Sequence, residues 1–318
     1  MLNQIVLFFS AAITSFLITY PIVWLLRLFH LNQSIREEAP KTHKAKAGTP
    51  TMGGLGFILV FISMALIFID FEYDLRYFAL ILLTLGFSLV GLADDLIIIF
   101  KQKNLGLTFW QKIFAQTVLA AVFSLFLIYV GHNYTVDGFL KSIGFSNPVL
   151  YFLFSVFVIV GTANATNLTD GLNGLLAGTA TIAFVAFGLL SQQYWYPDAV
   201  VFCFLAAGAV FAFLFYNFPN ARVFMGDIGS LGIGAALAGV ALVTHKEINL
   251  IVIGGIFLIE AASVILQVTS YKLFKKRIFK MTPLHHTFEL MGIKEPVIVV
   301  GFWVIGVILG IIGIAFLF

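Results

Sequence analysis

The chain has 318 residues, 61% of them hydrophobic and only 10% charged, whereas a soluble domain is nearer half apolar and a quarter charged. That balance excludes a water-soluble globular domain and identifies a polytopic membrane protein. The net charge of +3 is small and gives no reason to expect a nucleic-acid partner. The single cysteine, Cys203, lies in an apolar run; it excludes an internal disulfide and reads as an inert packed thiol.

A bilayer crossing needs about 20 apolar residues. Ten such runs are expected, roughly at 5–26, 53–70, 77–99, 113–131, 149–165, 172–190, 198–216, 229–244, 249–271 and 297–317, forming one integral membrane domain over residues 1–318. The first run has no basic residue before it and no small-residue cleavage pattern, so it reads as a retained span rather than a removed signal. The polar segments between runs alternate between two sides. Segments 27–52, 100–112, 166–171, 217–228 and 272–296 carry 15 of the 18 Lys and Arg residues, leaving Arg76, Lys141 and Lys246 for the other side. The positive-inside rule makes the first set cytoplasmic and puts both termini outside.

Along the chain, the cytoplasmic ends repeat one chemical theme. The first is "KTHKAKAGTPTMGG" (41–54), followed by "GLADDL" (91–96), "GLTFWQK" (106–112), "NATNLTDGLNG" (164–174), "NFPNARVFMGDIGSLG" (217–232) and "MTPLHHTFELMG" (281–292). Of eight aspartates, Asp70, Asp74, Asp137 and Asp198 fall at outer span ends, where a solvated loop tip explains them. Asp94, Asp95, Asp170 and Asp227 all fall on the cytoplasmic face, as do His43, His285 and His286. Taken singly, each is compatible with a solvated helix end, an ordinary turn or an interfacial pair. Jointly they point to a phosphoryl-type site in a cytoplasmic-side cleft. Hard carboxylate oxygens suit Mg²⁺, which keeps waters and shares substrate phosphates, while lysines in the same loops can neutralise phosphate oxygens and the glycine turns let backbone N–H groups approach them. No Cys/His spacing suggests zinc. Adjacent aspartates on a helix diverge by about 100°, so Asp94 and Asp95 are expected to do different jobs.

Together these motifs resemble the signatures of the bacterial phospho-N-acetylmuramoyl-pentapeptide transferases, within the polyprenyl-phosphate N-acetylhexosamine-1-phosphate transferases. They run in family order from about Gln33 to Gly292, and the ten-span, both-termini-out topology agrees. The resemblance implies a bacterial inner-membrane enzyme facing the cytoplasm. In such an enzyme undecaprenyl phosphate attacks the β-phosphate of UDP-MurNAc-pentapeptide, giving lipid I and UMP with Mg²⁺. Carried over by motif, Asp227 would ligate Mg²⁺ and Asp94 would be the candidate base, with Asp95 beside it; a covalent aspartyl route stays open. Phe224 would stack on uracil, with Asn217, Asn167 and Asp170 lining the nucleoside and diphosphate pocket. Lys44 and Thr49 would contact substrate, Lys112 would face phosphate, and His285, next to His286, would act near the diphosphate or sugar. A homodimer is implied by relatives.

Two positions depart from the family pattern. Asn173 stands where "DGLDG" has its second acid, and Thr287 where a third histidine is usual; Asn173 could still bond uracil, since an amide donates and accepts. A GlcNAc-1-phosphate transferase of the same superfamily is the alternative enzyme. A cation-coupled transporter is the alternative class, although it would place its acids near the midplane. "YKLFKKRIFK" (271–280) fits an interfacial segment attracting anionic lipid, or ordinary flanking charge. Glu260, mid-span, is expected to pack or line a groove away from the cytoplasmic cluster.

Overall fold

The computed structural model describes residues 2–29, 31, 48–101, 106–132 and 147–315, and the regular structure among them is helical. In chain order the helices are α1 (Leu2–Leu28), α2 (Gly54–Phe68), α3 (Leu75–Lys101), α4 (Phe109–Tyr129), α5 (Pro148–Thr169) and α6 (Leu175–Gln193). They continue as α7 (Pro197–Asn217), α8 (Gly226–Val243), α9 (Glu247–Ile253), α10 (Gly255–Phe274), α11 (Leu284–Leu290) and α12 (Glu295–Ala315). Nine of these are long and apolar enough to cross a membrane among the described residues. The second expected span is shorter than anticipated: α2 has 15 residues, or about 22 Å at 1.5 Å per residue, because the chain turns extended at Ile69. The ninth expected span, 249–271, is divided at Gly254 into α9 and α10.

Helices α6, α7 and α8 form the interior, while α1, α4, α10 and α12 expose apolar side chains outward. A membrane bundle gains little hydrophobic energy from helix–helix contact, so close backbone approach through small residues takes its place. Helix α8 meets that need with "GDIGSLGIGAALAGVALV", and every residue from Ile228 to Val243 is buried. A Cβ at Gly234 would lie 2.2 Å from Thr166 Oγ1 and 2.5 Å from Ala163 Cα, which shows how tightly α5 presses on α8. Cys203 is buried in α7, as an inert thiol should be.

The two ends of the bundle differ. At one, Arg76 makes a two-pronged ion pair with Asp74 and contacts His132 Nδ1 at 3.0 Å, and the His132 ring stacks on His245 at 3.9 Å. Asp74 is therefore tied down rather than simply solvated. At the other end, the last turns of α3, α5 and α7 meet the first turns of α4, α6 and α8, and here the candidate residues gather.

Candidate functional site

Helix α8 begins at Gly226, three residues earlier than the hydropathy suggests, so Asp227 stands in its first turn. A helix N-terminus has free N–H groups and partial positive charge. Asp95 supplies the answering acceptor: its Oδ2 takes the N–H of Ile228 at 3.2 Å. Gly226 has φ +77°, and a Cβ there would come within 2.5 Å of the same Asp95 oxygen, so this position needs glycine on both counts. Asp95 is thus a buried cap for α8 contributed by α3.

Asp94, one residue earlier, points elsewhere, as the 100° step requires. Its Oδ1 accepts the N–H of Leu107 at 2.7 Å. Its Oδ2 lies 3.9 Å from Lys112 Nζ, and that ammonium also pairs with Asp227 Oδ2. Lys112 is held in the first turn of α4, where Thr108 and Gln111 form a reciprocal capping box. On the far side of Asp227, Asn167 Nδ2 donates to Oδ1 at 2.7 Å and to Ser230 Oγ at 2.9 Å. Asp94, Lys112, Asn167 and Asp227 therefore form one connected polar cluster drawn from four helices. Asp170, just past α5, has its carboxyl pushed up to about 7, first by burial and then by the Asp227 charge.

The "GTPTMGG" stretch pairs with "VFMG" through main-chain bonds. Phe224 N–H donates to the Pro50 carbonyl at 2.8 Å, Gly53 N–H to that of Phe224 at 2.8 Å, and Gly54 N–H to that of Met225 at 2.9 Å. Thr49 and the half-buried Phe224 are thereby brought to the same rim of the cluster. Lys44 lies outside the described residues.

Two expected nucleoside contacts serve the scaffold in this structure. Asn217 takes the N–H of Gly174 on Oδ1 and donates Nδ2 to the Val223 carbonyl at 3.0 Å. Asn173 donates its main-chain N–H to Glu295 Oε1 at 2.7 Å and its Nδ2 to the Pro219 carbonyl at 3.0 Å.

The histidines occupy α11. His286 Nδ1 lies 2.7 Å from Glu289 Oε2. His285 is fully buried, its Nδ1 3.1 Å from Glu260 Oε2, and burial holds its pKa below the ordinary imidazole range. This corrects the expectation for Glu260: it is not remote from the site but is the partner of the site's buried histidine. The reason is the break after α10, which folds residues 275–283 back so that α11 lies against Glu260. Gln267 fastens the return, its Oε1 accepting the N–H groups of Ile278 and Phe279. Sequence reasoning also missed Glu295, whose only signal was a charge at the start of the last apolar run. The Thr-x-x-Gln capping box ahead of Lys112 was visible in "GLTFWQK".

Residues 77–245 match the family described as Glycosyl transferase family 4, and residues 46–58 match the Phospho-N-acetylmuramoyl-pentapeptide-transferase signature 1. Among similar proteins, the phospho-N-acetylmuramoyl-pentapeptide-transferase of Bacillus subtilis is 43% identical over 320 residues, spanning 99% of this chain and 98% of its own. That of Shouchella clausii is 43% identical over 316 residues (99% and 96%), and that of Bacillus velezensis 44% over 323 residues (99% and 98%). With the signature match and near full-length identity in agreement, the chain belongs to the phospho-N-acetylmuramoyl-pentapeptide-transferase family.

Proposed function

We propose that this chain transfers phospho-MurNAc-pentapeptide from UDP-MurNAc-pentapeptide to undecaprenyl phosphate, releasing UMP and leaving lipid I in the bacterial inner membrane. The observation that carries this reading is Lys112 bridging Asp94 and Asp227, with Asn167 aligning the latter. One ammonium among carboxylates is a site prepared for phosphate and cation exchange. A diphosphate arriving there can take over the lysine, which frees Asp227 oxygens. Asp94, anchored at Leu107, keeps its second oxygen toward the same space, where it can accept the lipid phosphate's proton. A phosphate monoester near its second pKa needs little further activation, which favours single displacement.

Asp227 is the residue that would hold Mg²⁺. The hard, anionic oxygen donors fit that ion, which draws its remaining ligands from water and substrate phosphates. When bound, it would supply charge neutralisation at the diphosphate. The charge asymmetry of the polar segments supports a cytoplasm-facing site with both termini outside. A homodimer is part of the same proposal and rests on the family resemblance alone.

The test is UMP release by the purified protein with undecaprenyl phosphate and Mg²⁺, offering UDP-MurNAc-pentapeptide and UDP-GlcNAc separately. Turnover with the former is expected. Turnover only with UDP-GlcNAc would overturn the substrate assignment, and none with either would overturn the enzymatic reading.

A further inference from the structure

Glu260 and His285 are both fully buried, and the mechanism above leaves Glu260 unused. Its Oε1 accepts the main-chain N–H of His285 at 3.2 Å while Oε2 lies 3.1 Å from His285 Nδ1. A carboxylate offers only acceptors, so Nδ1 must carry the ring proton. Burial disfavours the charged imidazole, and the neutral Nδ1–H ring has its lone pair on Nε2. That nitrogen has no hydrogen-bond partner among the described residues. It rests on Gly171, where a Cβ would come within 2.1 Å of it. An unsatisfied buried polar atom is costly, and this one faces the turn that carries Asp170. His286 and Glu289 approach the same ring from α11, but they pair with each other at 2.7 Å.

We propose that Glu260 is a positioning residue: it fixes His285 in the Nδ1–H tautomer, so that Nε2 offers a lone pair at the Asp170–Gly171 turn to a hydroxyl or amide donor of the nucleotide-sugar substrate. The proposal rests on the transfer reaction inferred above and adds a residue to it. Glu260 touches no substrate and acts only through the ring. Glycine at 171 fits the same role, since a Cβ there would lie 2.1 Å from Nε2 and push the ring off the turn.

The requirement is for a carboxylate, not merely for a polar group of that size. A glutamine has one acceptor oxygen. When that oxygen keeps the His285 main-chain N–H, the amide NH₂ faces Nδ1 and drives the proton to Nε2. E260Q therefore turns the acceptor at the turn into a donor with little change of shape.

The test uses the full chain in detergent, labelled with ¹⁵N-histidine and with His285 assigned by its absence in H285N. The wild type is expected to show the Nδ1–H pattern and E260Q the Nε2–H pattern. In the UMP-release assay, kcat/KM of E260Q is expected to fall roughly 10- to 100-fold, the range that loss of the orienting group gives for metal-ligating histidines. The E260Q/H285N double variant should be no worse than H285N alone. A wild-type Nε2–H pattern, unchanged kcat/KM in E260Q, or losses that multiply in the double variant would each overturn the proposal. The wild-type spectrum decides the tautomer even if E260Q fails to fold. Absence of wild-type turnover would remove the transfer reading, while the spectrum would still decide the role of Glu260.

Discussion

Gly91 lies where α3 crosses the first turn of α8, and the site is assembled at that crossing. A Cβ on Gly91 would lie 2.1 Å from the Asp227 carbonyl oxygen, 2.3 Å from its carbon and 2.5 Å from Ile228 N. These are backbone atoms in a helix and cannot swing aside. An ordinary carbon–oxygen contact is about 3.3 Å, so G91A must part the two helices by about 1.2 Å. Overpacking of this kind costs roughly 1–3 kcal/mol of stability, which a large bundle can absorb. Catalysis is less forgiving, because Asp94 and Asp95 lie one turn beyond Gly91 and Asp227 is the residue displaced. A misplacement of about 1 Å can cost about 100-fold, equivalent to roughly 2.7 kcal/mol of barrier. The assay is UMP release beside thermal unfolding in detergent, with G161A as control, since a Cβ at Gly161 meets nothing within 4 Å. G91A should lose about 100-fold in kcat/KM while remaining folded. Wild-type kcat/KM in G91A, or an equal loss in G161A, would refute the argument.

Further outcomes follow from the same geometry. D227N should lose at least about 100-fold in turnover, because it removes the charge facing Lys112; initial rates across a Mg²⁺ titration check this, and a wild-type Mg²⁺ dependence would remove the metal assignment. Asp95 and Asp94 should separate: D95A, which uncaps α8, should lower stability by about 0.5–2 kcal/mol, whereas D94N should lose activity with an unchanged melting point. Equal melting losses in the two would contradict the capping role. Asp170 gives a pH signature in metal-free protein. Its folded value of about 7 lies above the model-peptide value of 3.8, so its protonation favours the fold. That contribution is full below about pH 4 and is lost as pH rises through about 7. Melting measured with a chelator should decline over that window in the wild type and less in D170N, and parallel declines would refute the assignment.

Much of this was legible in the sequence, because the membrane imposes a strong rule and the chemistry breaks it visibly. Long apolar runs gave the helices, and acids gathered at one set of run ends marked the site end of the bundle. What escaped depended on where the chain turns inside a run. Hydropathy could not show that Gly254 interrupts the ninth span, since both flanks are equally apolar. It also could not start α8 at Gly226, because "MGD" reads as polar loop until Asp95 arrives from α3 to cap it. Glu260 was misjudged for a related reason: depth along a helix suggested distance from the site, but residues 275–283 fold back and carry α11 to it. The division between Asp94 and Asp95 was expected from helical geometry, yet which one takes the structural task depends on a contact 133 residues away.

The departure at Asn173 shows why a changed motif residue need not disturb the chemistry. Its Nδ2 donates to the Pro219 carbonyl, and its main-chain N–H is taken by the Glu295 carboxylate. In the same orientation an aspartate would set an oxygen against that carbonyl and bring a second negative charge toward Glu295. Here the negative charge at the turn comes from α12 instead of from residue 173. The neighbouring Gly174 carbonyl is held by Trp303 Nε1 at 3.1 Å and its N–H by Asn217, so the whole turn is fastened from outside. The cluster of Asp94, Lys112, Asn167 and Asp227 shares none of these bonds. Each part can therefore vary without the other: the turn can exchange an acid for an amide when α12 supplies the charge, and the bonds of the cluster are untouched by that exchange.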